Sequence, residues 1–229
     1  MRDLPSKLQG QLSIRRAERA RLIETGLVQQ GISDPAVLAA INQVPREFFV
    51  DPEFKDKAYH NRALPIASGQ TISQPYIVAL MAEALQLTPH FRLLEIGTGS
   101  GYAAAVYAQL VDQVFTIERH DFLVNLSRSR LEELQIENVS VRCGDGSFGW
   151  PEAAPFDAIS IAAATEDIPK QLLNQLTIGG KLVAPIGDQQ SNQSLICFKR
   201  TEGGFEKKDL GSVRFVPLIS DADEDLPSD

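Results

Sequence analysis

A glycine-rich turn between an apolar strand and a small-residue helix constrains this chain more than any other feature. Residues 93–96 are typical of a buried strand, and Gly97, Gly99 and Gly101 follow before the alanine-rich segment 103–106. Glycine at such positions lets a backbone approach a ligand closely at the start of a helix. A turn of this kind opens the nucleotide site of many doubly wound α/β sheets, although the pattern alone also fits an ordinary tight connection.

Acidic residues at three places indicate which nucleoside this turn binds. Glu118 ends a second strand about 20 residues after the turn, where a carboxylate holds ribose hydroxyls in NAD and S-adenosylmethionine sites alike. Glu95 would repel a pyrophosphate but suits an ammonium group, and Asp145 can accept a hydrogen bond from an adenine amino group. We therefore favour S-adenosylmethionine over NAD. The predicted cofactor-binding residues are Glu95, Gly97, Thr98, Gly99, Ser100, Glu118, Asp145 and Gly146.

Short apolar runs separated by amphipathic segments predict an α/β fold with a mostly parallel sheet. The first five runs alternate with helical stretches, as in repeated strand–helix–strand units. The last two runs are separated by Gly203 and Gly204, a hairpin signal that predicts an antiparallel edge. The predicted strands are 93–96, 114–117, 139–141, 158–161, 182–186, 195–198 and 213–216.

The first 60 residues predict an α-helical cap instead. Apolar residues at near-helical spacing indicate a helix over 7–30 that ends at Gly26 or Gly31, and Asp34 with Pro35 suits the start of the next helix. We expect a single methyltransferase-sized domain over 1–219, with the cap at 1–60 and the sheet core at 91–219. Residues 220–229 contain five acidic residues and no basic one, and we expect a disordered tail there.

Charge and composition argue against several other classes of protein. The net charge of -8 comes from 22 basic and 30 acidic residues, and no basic stripe suited to nucleic acid is visible. The apolar runs are far shorter than the roughly 20 residues of a membrane-spanning helix. The N-terminal segment lacks the apolar core of a secretory signal, so we expect a cytoplasmic protein. Scattered histidines predict no metal site, and Cys143 and Cys197 are expected to be buried free thiols.

Six short segments together resemble the protein-L-isoaspartate O-methyltransferase family over nearly all of the chain. They are Val44–Val50, Ala63–Ile66, Gly69–Pro75, Leu94–Tyr102, Gly144–Gly146 and Val213–Leu218. The resemblance implies a Rossmann-like class I S-adenosylmethionine-dependent methyltransferase fold. It also implies methyl transfer to the free α-carboxylate of L-isoaspartyl residues in damaged proteins and peptides, which initiates repair through a succinimide and leaves S-adenosylhomocysteine. We expect the enzyme to act as a monomer.

The same resemblance assigns the substrate side of the site. Ser73 is the implied active-site residue, whose hydroxyl aligns the substrate carboxylate, although its position before Pro75 also fits a helix cap. A carboxylate is already ionised at neutral pH, so no strong general base is required. The implied substrate-binding residues are Ala67, Ser68, Thr71, Ile72, Val213 and Arg214. The chain departs from the usual family residues at Ala67, Ala162 and Thr165.

Other functions fit parts of the pattern. A small-molecule carboxyl methyltransferase would have the same cofactor site, and an NAD-dependent oxidoreductase would share the turn and the ribose-binding acid. The non-enzymatic alternative is an S-adenosylmethionine-binding module that has lost turnover. A nucleic-acid amino-methyltransferase would carry an Asp/Asn-Pro-Pro-Tyr turn after the fourth strand, where residues 161–165 read Ile-Ala-Ala-Ala-Thr.

Overall fold

A seven-stranded sheet organises residues 15–188 and 192–219, the part of the chain that the computed structural model describes. A separate antiparallel pair consists of β1 (Leu64–Pro65) and β2 (Thr71–Ile72). The main sheet contains β3 (Arg92–Ile96), β4 (Gln113–Glu118), β5 (Val139–Cys143), β6 (Phe156–Ile161), β7 (Leu176–Ile186), β8 (Gln193–Thr201) and β9 (Gly204–Val213). Its spatial order is β5-β4-β3-β6-β7-β8-β9. The first five strands in this order, β5, β4, β3, β6 and β7, are parallel to one another. Strand β8 is antiparallel to β7, and β9 is antiparallel to β8, which confirms the mostly parallel sheet with an antiparallel edge.

Six α-helices accompany the strands in the described residues. They are α1 (Arg16–Arg21), α2 (Pro35–Gln43), α3 (Pro75–Leu85), α4 (Tyr102–Tyr107), α5 (Asp121–Glu133) and α6 (Lys170–Asn174). The first helix continues as a π-helical turn, Leu22–Leu27, and a 3₁₀ turn, Val28–Gln30. Further 3₁₀ turns lie at Arg46–Phe48, Pro52–Lys57, Ala67–Gly69, Gly146–Phe148 and Pro151–Ala153.

The described part of the cap begins and ends its helices where the sequence predicts. Gly31 adopts a left-handed conformation (φ 102°) and ends the first helix. Glycine adopts this conformation without the steric strain that a Cβ atom causes. Asp34 accepts hydrogen bonds from the backbone N–H groups of Ala36 and Val37, at 2.8 and 3.4 Å, and so caps α2. The predicted start at residue 7 lies outside the described residues.

One hydrophobic cluster joins the cap to one face of the sheet. It includes Leu27, Ile41 and Phe49 from the cap together with Leu93 of β3 and Val183 of β7, all of them buried. A second cluster covers the opposite face around Leu94 and Ile159. This continuity supports the prediction of a single domain, whose boundaries stay a prediction; residues 220–229 lie outside the described part of the chain.

Three expectations are wrong. No α-helix connects β5 to β6, because residues 146–153 form only two 3₁₀ turns. The last strand is β9 rather than 213–216: its face is largely exposed and polar, so a search for apolar runs does not detect it. Cys143 is an exposed thiol and only Cys197 is buried, since Cys143 ends an edge strand.

Candidate active site

The main cavity lies at the carboxyl ends of β3, β4 and β6. Because β4 and β6 flank β3 on opposite sides, this is the point where strand order reverses and where open α/β sheets bind their ligands. The cavity has a volume of about 520 Å³. Residues 96–100, 102–103 and 117–120 line the part of the cavity that we call its floor, and residues 70–74 and 212–219 line the part that we call its wall.

The glycine turn forms the floor with its backbone exposed to the cavity. Gly97, Gly99 and Gly101 all have positive φ angles, of 91°, 54° and 89°. A Cβ atom on Gly101 would lie 3.2 Å from the Cβ of Ser127, so the turn also packs closely on α5. Gly97, Thr98, Gly99 and Ser100, all predicted as cofactor-binding residues, line the cavity. A backbone without side chains in this position can approach a bound nucleoside.

Glu118 closes the floor at the end of β4. Its side chain is only 6% exposed, yet it lines the cavity. One carboxylate oxygen accepts the backbone N–H of Gly99 at 2.8 Å, and the other accepts the N–H of His120 at 3.0 Å. Each oxygen keeps a second lone pair, so the fixed carboxylate can also accept hydrogen bonds from hydroxyl groups. The structure therefore brings the predicted ribose-binding acid and the turn together.

Glu95 lies beneath the turn rather than in the cavity lining. It is 1% exposed, and its Oε2 accepts a hydrogen bond from Thr116 Oγ1 at 2.6 Å. The Thr116 hydroxyl lies 2.6 Å from that of Thr98, which belongs to the turn. Oε1 is buried without a hydrogen-bond partner, and burial raises the pKa of Glu95 to about 8. Glu95 thus supports the turn through two threonines.

Asp145 also lies just outside the lining. Its side chain accepts the backbone N–H of Ser147 at 2.7 Å and caps the 3₁₀ turn that follows. Its neighbours Gly144 and Gly146 line the cavity. A Cβ on Gly146 would lie 2.3 Å from Ile96 Cγ2, so only glycine fits against β3 at that position. Close packing therefore fixes the position of the loop 144–146 at this end of the sheet.

Ser73 lies on the wall, between β2 and α3. It lines the cavity together with Thr71 and Ile72, and its side chain is half-buried. The N-cap position of α3 is Gln74, and no side chain caps that helix. The backbone carbonyl of Ser73 accepts a hydrogen bond from Arg46 Nη2 at 3.0 Å. The alternative role of Ser73 as a helix cap is therefore not observed.

Residues 212–219 complete the wall as an extended strap. Gln193 holds the strap at Phe215, because its Oε1 accepts the Phe215 N–H at 2.7 Å and its Nε2 donates to the Phe215 carbonyl at 3.2 Å. Ala164 pairs with Val216 and Leu218 through two backbone hydrogen bonds of 2.7 Å. The predicted Val213 and Arg214 line the cavity on this strap.

Two predicted substrate residues lie off the cavity. Ala67 and Ser68 belong to the 3₁₀ turn between β1 and β2 and are not part of the lining; Ser68 has a left-handed backbone (φ 58°). Ala162 does line the cavity, beside Gly97, whereas Thr165 bonds to the Asp167 carbonyl away from it. Of the three departures from the family pattern, only Ala162 therefore borders the site.

Sequence reasoning missed several lining residues. Arg119 and His120 directly follow Glu118, and a strand end at the switch point is a signal that could have included them. Gln70 and Gln74 flank the predicted segment 71–73. Among the described lining residues, Glu118 is the one carboxylate, while Arg119 and Arg214 carry positive charge.

Two searches of the described ranges found nothing further. Residues 15–188 and 192–219 contain no group of three or more His, Cys, Asp or Glu side chains that could hold a metal ion. Within the same ranges, no helix has the length and apolar character needed to cross a membrane.

Comparisons with known proteins agree with this geometry. Residues 17–223 match the family described as Protein-L-isoaspartate(D-aspartate) O-methyltransferase. The chain is 53% identical over 202 residues to the Protein-L-isoaspartate O-methyltransferase of Herpetosiphon aurantiacus, which covers 88% of this chain and 90% of that protein.

Two solved structures share the fold. One, named protein-L-isoaspartate O-methyltransferase, has a TM-score of 0.78 at 30% identity and covers 87% of this chain and 65% of that longer chain. A putative protein-L-isoaspartate O-methyltransferase from Plasmodium falciparum, in complex with S-adenosyl-L-homocysteine, has a TM-score of 0.77 at 27% identity. The match covers 88% of this chain and 98% of that chain. The chain belongs to the protein-L-isoaspartate (D-aspartate) O-methyltransferase family.

Proposed function

We propose that this enzyme transfers a methyl group from S-adenosylmethionine to the free α-carboxylate of L-isoaspartyl residues in damaged proteins and peptides. The observation that carries the proposal is the shared cavity: Ser73, the glycine turn and Glu118 all line one space of about 520 Å³. Family membership and the S-adenosyl-L-homocysteine bound to the Plasmodium falciparum relative support the choice of donor.

The floor of the cavity fits the donor. The exposed backbone of the turn can approach a nucleoside, and the fixed carboxylate of Glu118 can accept its ribose hydroxyls. S-adenosylmethionine, when bound, supplies an electrophilic methyl group on a sulfonium. Gly146 keeps its loop close to Ile96, and we assign the adenine ring to this loop because Gly144 and Gly146 line the cavity. We assign Asp145 and Glu95 to the support of this half of the site.

The wall fits the acceptor. The carboxylate oxygen forms a bond to the methyl carbon while the bond from that carbon to the sulfonium sulfur breaks, which leaves a neutral ester and a neutral thioether. Because both charges disappear, the reaction is favoured where water is excluded. Ser73 is assigned to donate a hydrogen bond to the carboxylate and align it with the methyl group. The residues Thr71, Ile72, Val213 and Arg214 border the same space, whereas Ala67 and Ser68 lie in the turn between β1 and β2, off the lining. The chain supplies alignment, which is what an already ionised nucleophile requires.

The choice between isoaspartate and aspartate follows from the peptide backbone. In isoaspartate the main chain passes through the side-chain methylene, so the free carboxylate is attached directly to Cα. A site that holds the flanking amides fixes that carboxylate relative to the sulfonium. A normal peptide held in the same way presents its carboxylate out of line, and a displacement of about 1 Å costs on the order of 100-fold in rate.

The decisive experiment uses S-adenosylmethionine labelled on its methyl group. Two short peptides of identical sequence are compared, one with L-isoaspartate and one with L-aspartate at the same position. We expect label in the isoaspartyl peptide only, as a base-labile methyl ester.

The controls separate activity from folding. The preparation is first shown to bind S-adenosylhomocysteine by calorimetry. Equal labelling of both peptides would refute the repair function and favour a general or small-molecule carboxyl methyltransferase. Labelling of neither peptide by protein that binds the cofactor would favour a binding module without turnover.

The proposal extends to location and assembly. We propose a cytoplasmic monomer that acts on damaged polypeptides and does not bind nucleic acid. The net charge of -8 supports the last point, because phosphate backbones are bound through clustered basic residues. Cell fractionation and light scattering test the compartment and the oligomeric state.

A further inference from the structure

Arg46 connects the substrate wall of the cavity to the cofactor floor. It begins the 3₁₀ turn that follows α2, and its side chain is 0% exposed. Its Nη2 donates to the carbonyls of Ser73 at 3.0 Å and Arg62 at 3.2 Å, and its Nη1 donates to the carbonyl of Ala58. The guanidinium carbon lies 5.6 Å from the centre of the Tyr102 ring.

The two ends of this connection belong to different parts of one cavity lining. Ser73 is the residue proposed to align the substrate carboxylate. Tyr102 begins α4 directly after the glycine turn, and both residues line the cavity. Phe49 packs edge-on against the Tyr102 ring, with the ring centres 5.7 Å apart, which fixes the ring under the guanidinium.

The burial of this cation is costly and needs compensation. In the described ranges no carboxylate forms an ion pair with Arg46, and Nε is buried without a hydrogen-bond partner. Burial lowers the pKa of Arg46 to about 10, which still leaves it charged at neutral pH. Three carbonyl dipoles and the negative face of an aromatic ring stabilise the charge. A buried apolar side chain would pack the cap without this cost, but it would not hold three backbone segments together.

We propose that Arg46 is a positioning residue for methyl transfer, which holds the Ser73 backbone at a fixed distance from the cofactor turn through a single buried guanidinium. The inference rests on the proposed function, since it assigns Ser73 to the acceptor. The planar guanidinium can bond to several carbonyls in fixed directions and stack on a ring at the same time. Lysine keeps the charge but not this geometry.

The test compares Arg46→Lys with a matched control elsewhere in the chain. Arg200 also donates to three backbone carbonyls, those of Leu173, Asn174 and Leu176, but it does not line the cavity. We expect Arg46→Lys to lower kcat for the isoaspartyl peptide by about 10- to 100-fold, in line with a misplacement below or near 1 Å. Its dissociation constant for S-adenosylhomocysteine should stay within about threefold of the wild-type value. Arg200→Lys should keep both values.

Hydrogen–deuterium exchange gives a readout that does not depend on turnover. The amides of Gln70, Ile77 and Val78 are hydrogen-bonded around Ser73. We expect faster exchange over residues 70–78 in Arg46→Lys than in Arg200→Lys. If the wild type methylates no isoaspartyl peptide, the proposed function fails, and this exchange result still decides whether Arg46 holds the segment.

Three outcomes would overturn the proposal. They are an unchanged kcat in folded Arg46→Lys, an equal loss of kcat and cofactor affinity, and unchanged exchange over residues 70–78. If Arg46→Lys does not fold, Arg46→Gln replaces it, because its amide keeps two N–H donors without the charge. Failure of both variants to fold, beside a folded Arg200→Lys, would show that Arg46 serves only stability and would also overturn the proposal.

Discussion

The buried acid beneath the turn gives a prediction about stability and pH. Glu95 has a pKa of about 8 in the folded protein, chiefly because burial penalises the carboxylate, against an ordinary value of 4.5. Its folded pKa is therefore raised above the unfolded one. The protonated Glu95 makes its full contribution to the stability of the fold below about pH 4.5, and this contribution is lost as the pH rises through about 8. Over that interval the unfolded chain has released a proton that the folded protein retains.

The magnitude follows from the size of the pKa difference. One pKa unit corresponds to about 1.36 kcal/mol, so the change from 4.5 to about 8 limits the loss of stability to about 5 kcal/mol. Glu95→Gln removes the ionisation while keeping the shape and an acceptor for Thr116. We expect the stability of Glu95→Gln relative to the wild type to increase steadily between pH 5 and pH 8.

Urea unfolding at one-unit pH intervals measures this difference. Glu206→Gln makes the same chemical change on the exposed strand β9 and shows how much the loss of any carboxylate alters the pH dependence. Parallel stability curves for the wild type and Glu95→Gln would refute the reasoning, because they would show that Glu95 titrates alike in the folded and unfolded chains.

Three further predictions concern the two halves of the cavity. Glu118→Ala should weaken S-adenosylhomocysteine binding by roughly 1.5–3 kcal/mol, the usual worth of hydrogen bonds to a charged group, and an unchanged calorimetric constant would remove Glu118 from the site. Ser73→Ala should lower kcat/KM for the isoaspartyl peptide with cofactor affinity within a few-fold, and full turnover by the folded variant would contradict its assigned role. Gln193→Met should raise the KM for the peptide by a factor roughly ten times larger than the factor by which it raises the dissociation constant of the cofactor. The hydrogen bonds that hold the strap are lost, and about 1.4 kcal/mol of binding free energy corresponds to a tenfold change. Gln175→Met is the matched control: it removes a similar clamp, on Phe148 and Trp150, none of which lines the cavity, and should change neither constant.

Local patterns were sufficient to predict which residues form the floor of the cavity. The turn at Gly97–Gly101 and the acid at Glu118 are each defined by a few neighbouring residues, and the parallel order of the strands places them at one edge. Glu95 shows where such reasoning stops. Its position in a central parallel strand already indicates burial on both faces, but its contacts with Thr116 and Thr98 depend on strand register.

The substrate wall could not be built from local patterns. Strand β9 is exposed and polar along most of its length, so hydrophobic periodicity gives no signal for it. The misplacement of the last strand then hides the strap at 214–218, whose position depends on Gln193 and Ala164, about 22 and 50 residues earlier in the chain. Here the resemblance to a family located Val213 and Arg214 when physical pattern did not.

Six buried polar residues line the cavity or contact a residue that lines it. Thr98, Ser100 and Glu118 are buried and line the cavity themselves. Arg46, Thr116 and Gln193 are buried too, and each contacts a lining residue: the Ser73 carbonyl, the Thr98 hydroxyl and the Phe215 backbone respectively.

Each of these groups destabilises the fold relative to a well-packed apolar side chain unless its hydrogen bonds are made. Arg19 is a counterexample within the cap, where it bonds to Asn42 and Tyr59 and touches no part of the cavity. The six residues named above, by contrast, line the cavity or contact a residue that does, which matches a reaction whose barrier is lowered by alignment rather than by an acid or a base. Positional accuracy between Ser73 and the turn is the property that we expect these buried contacts to provide.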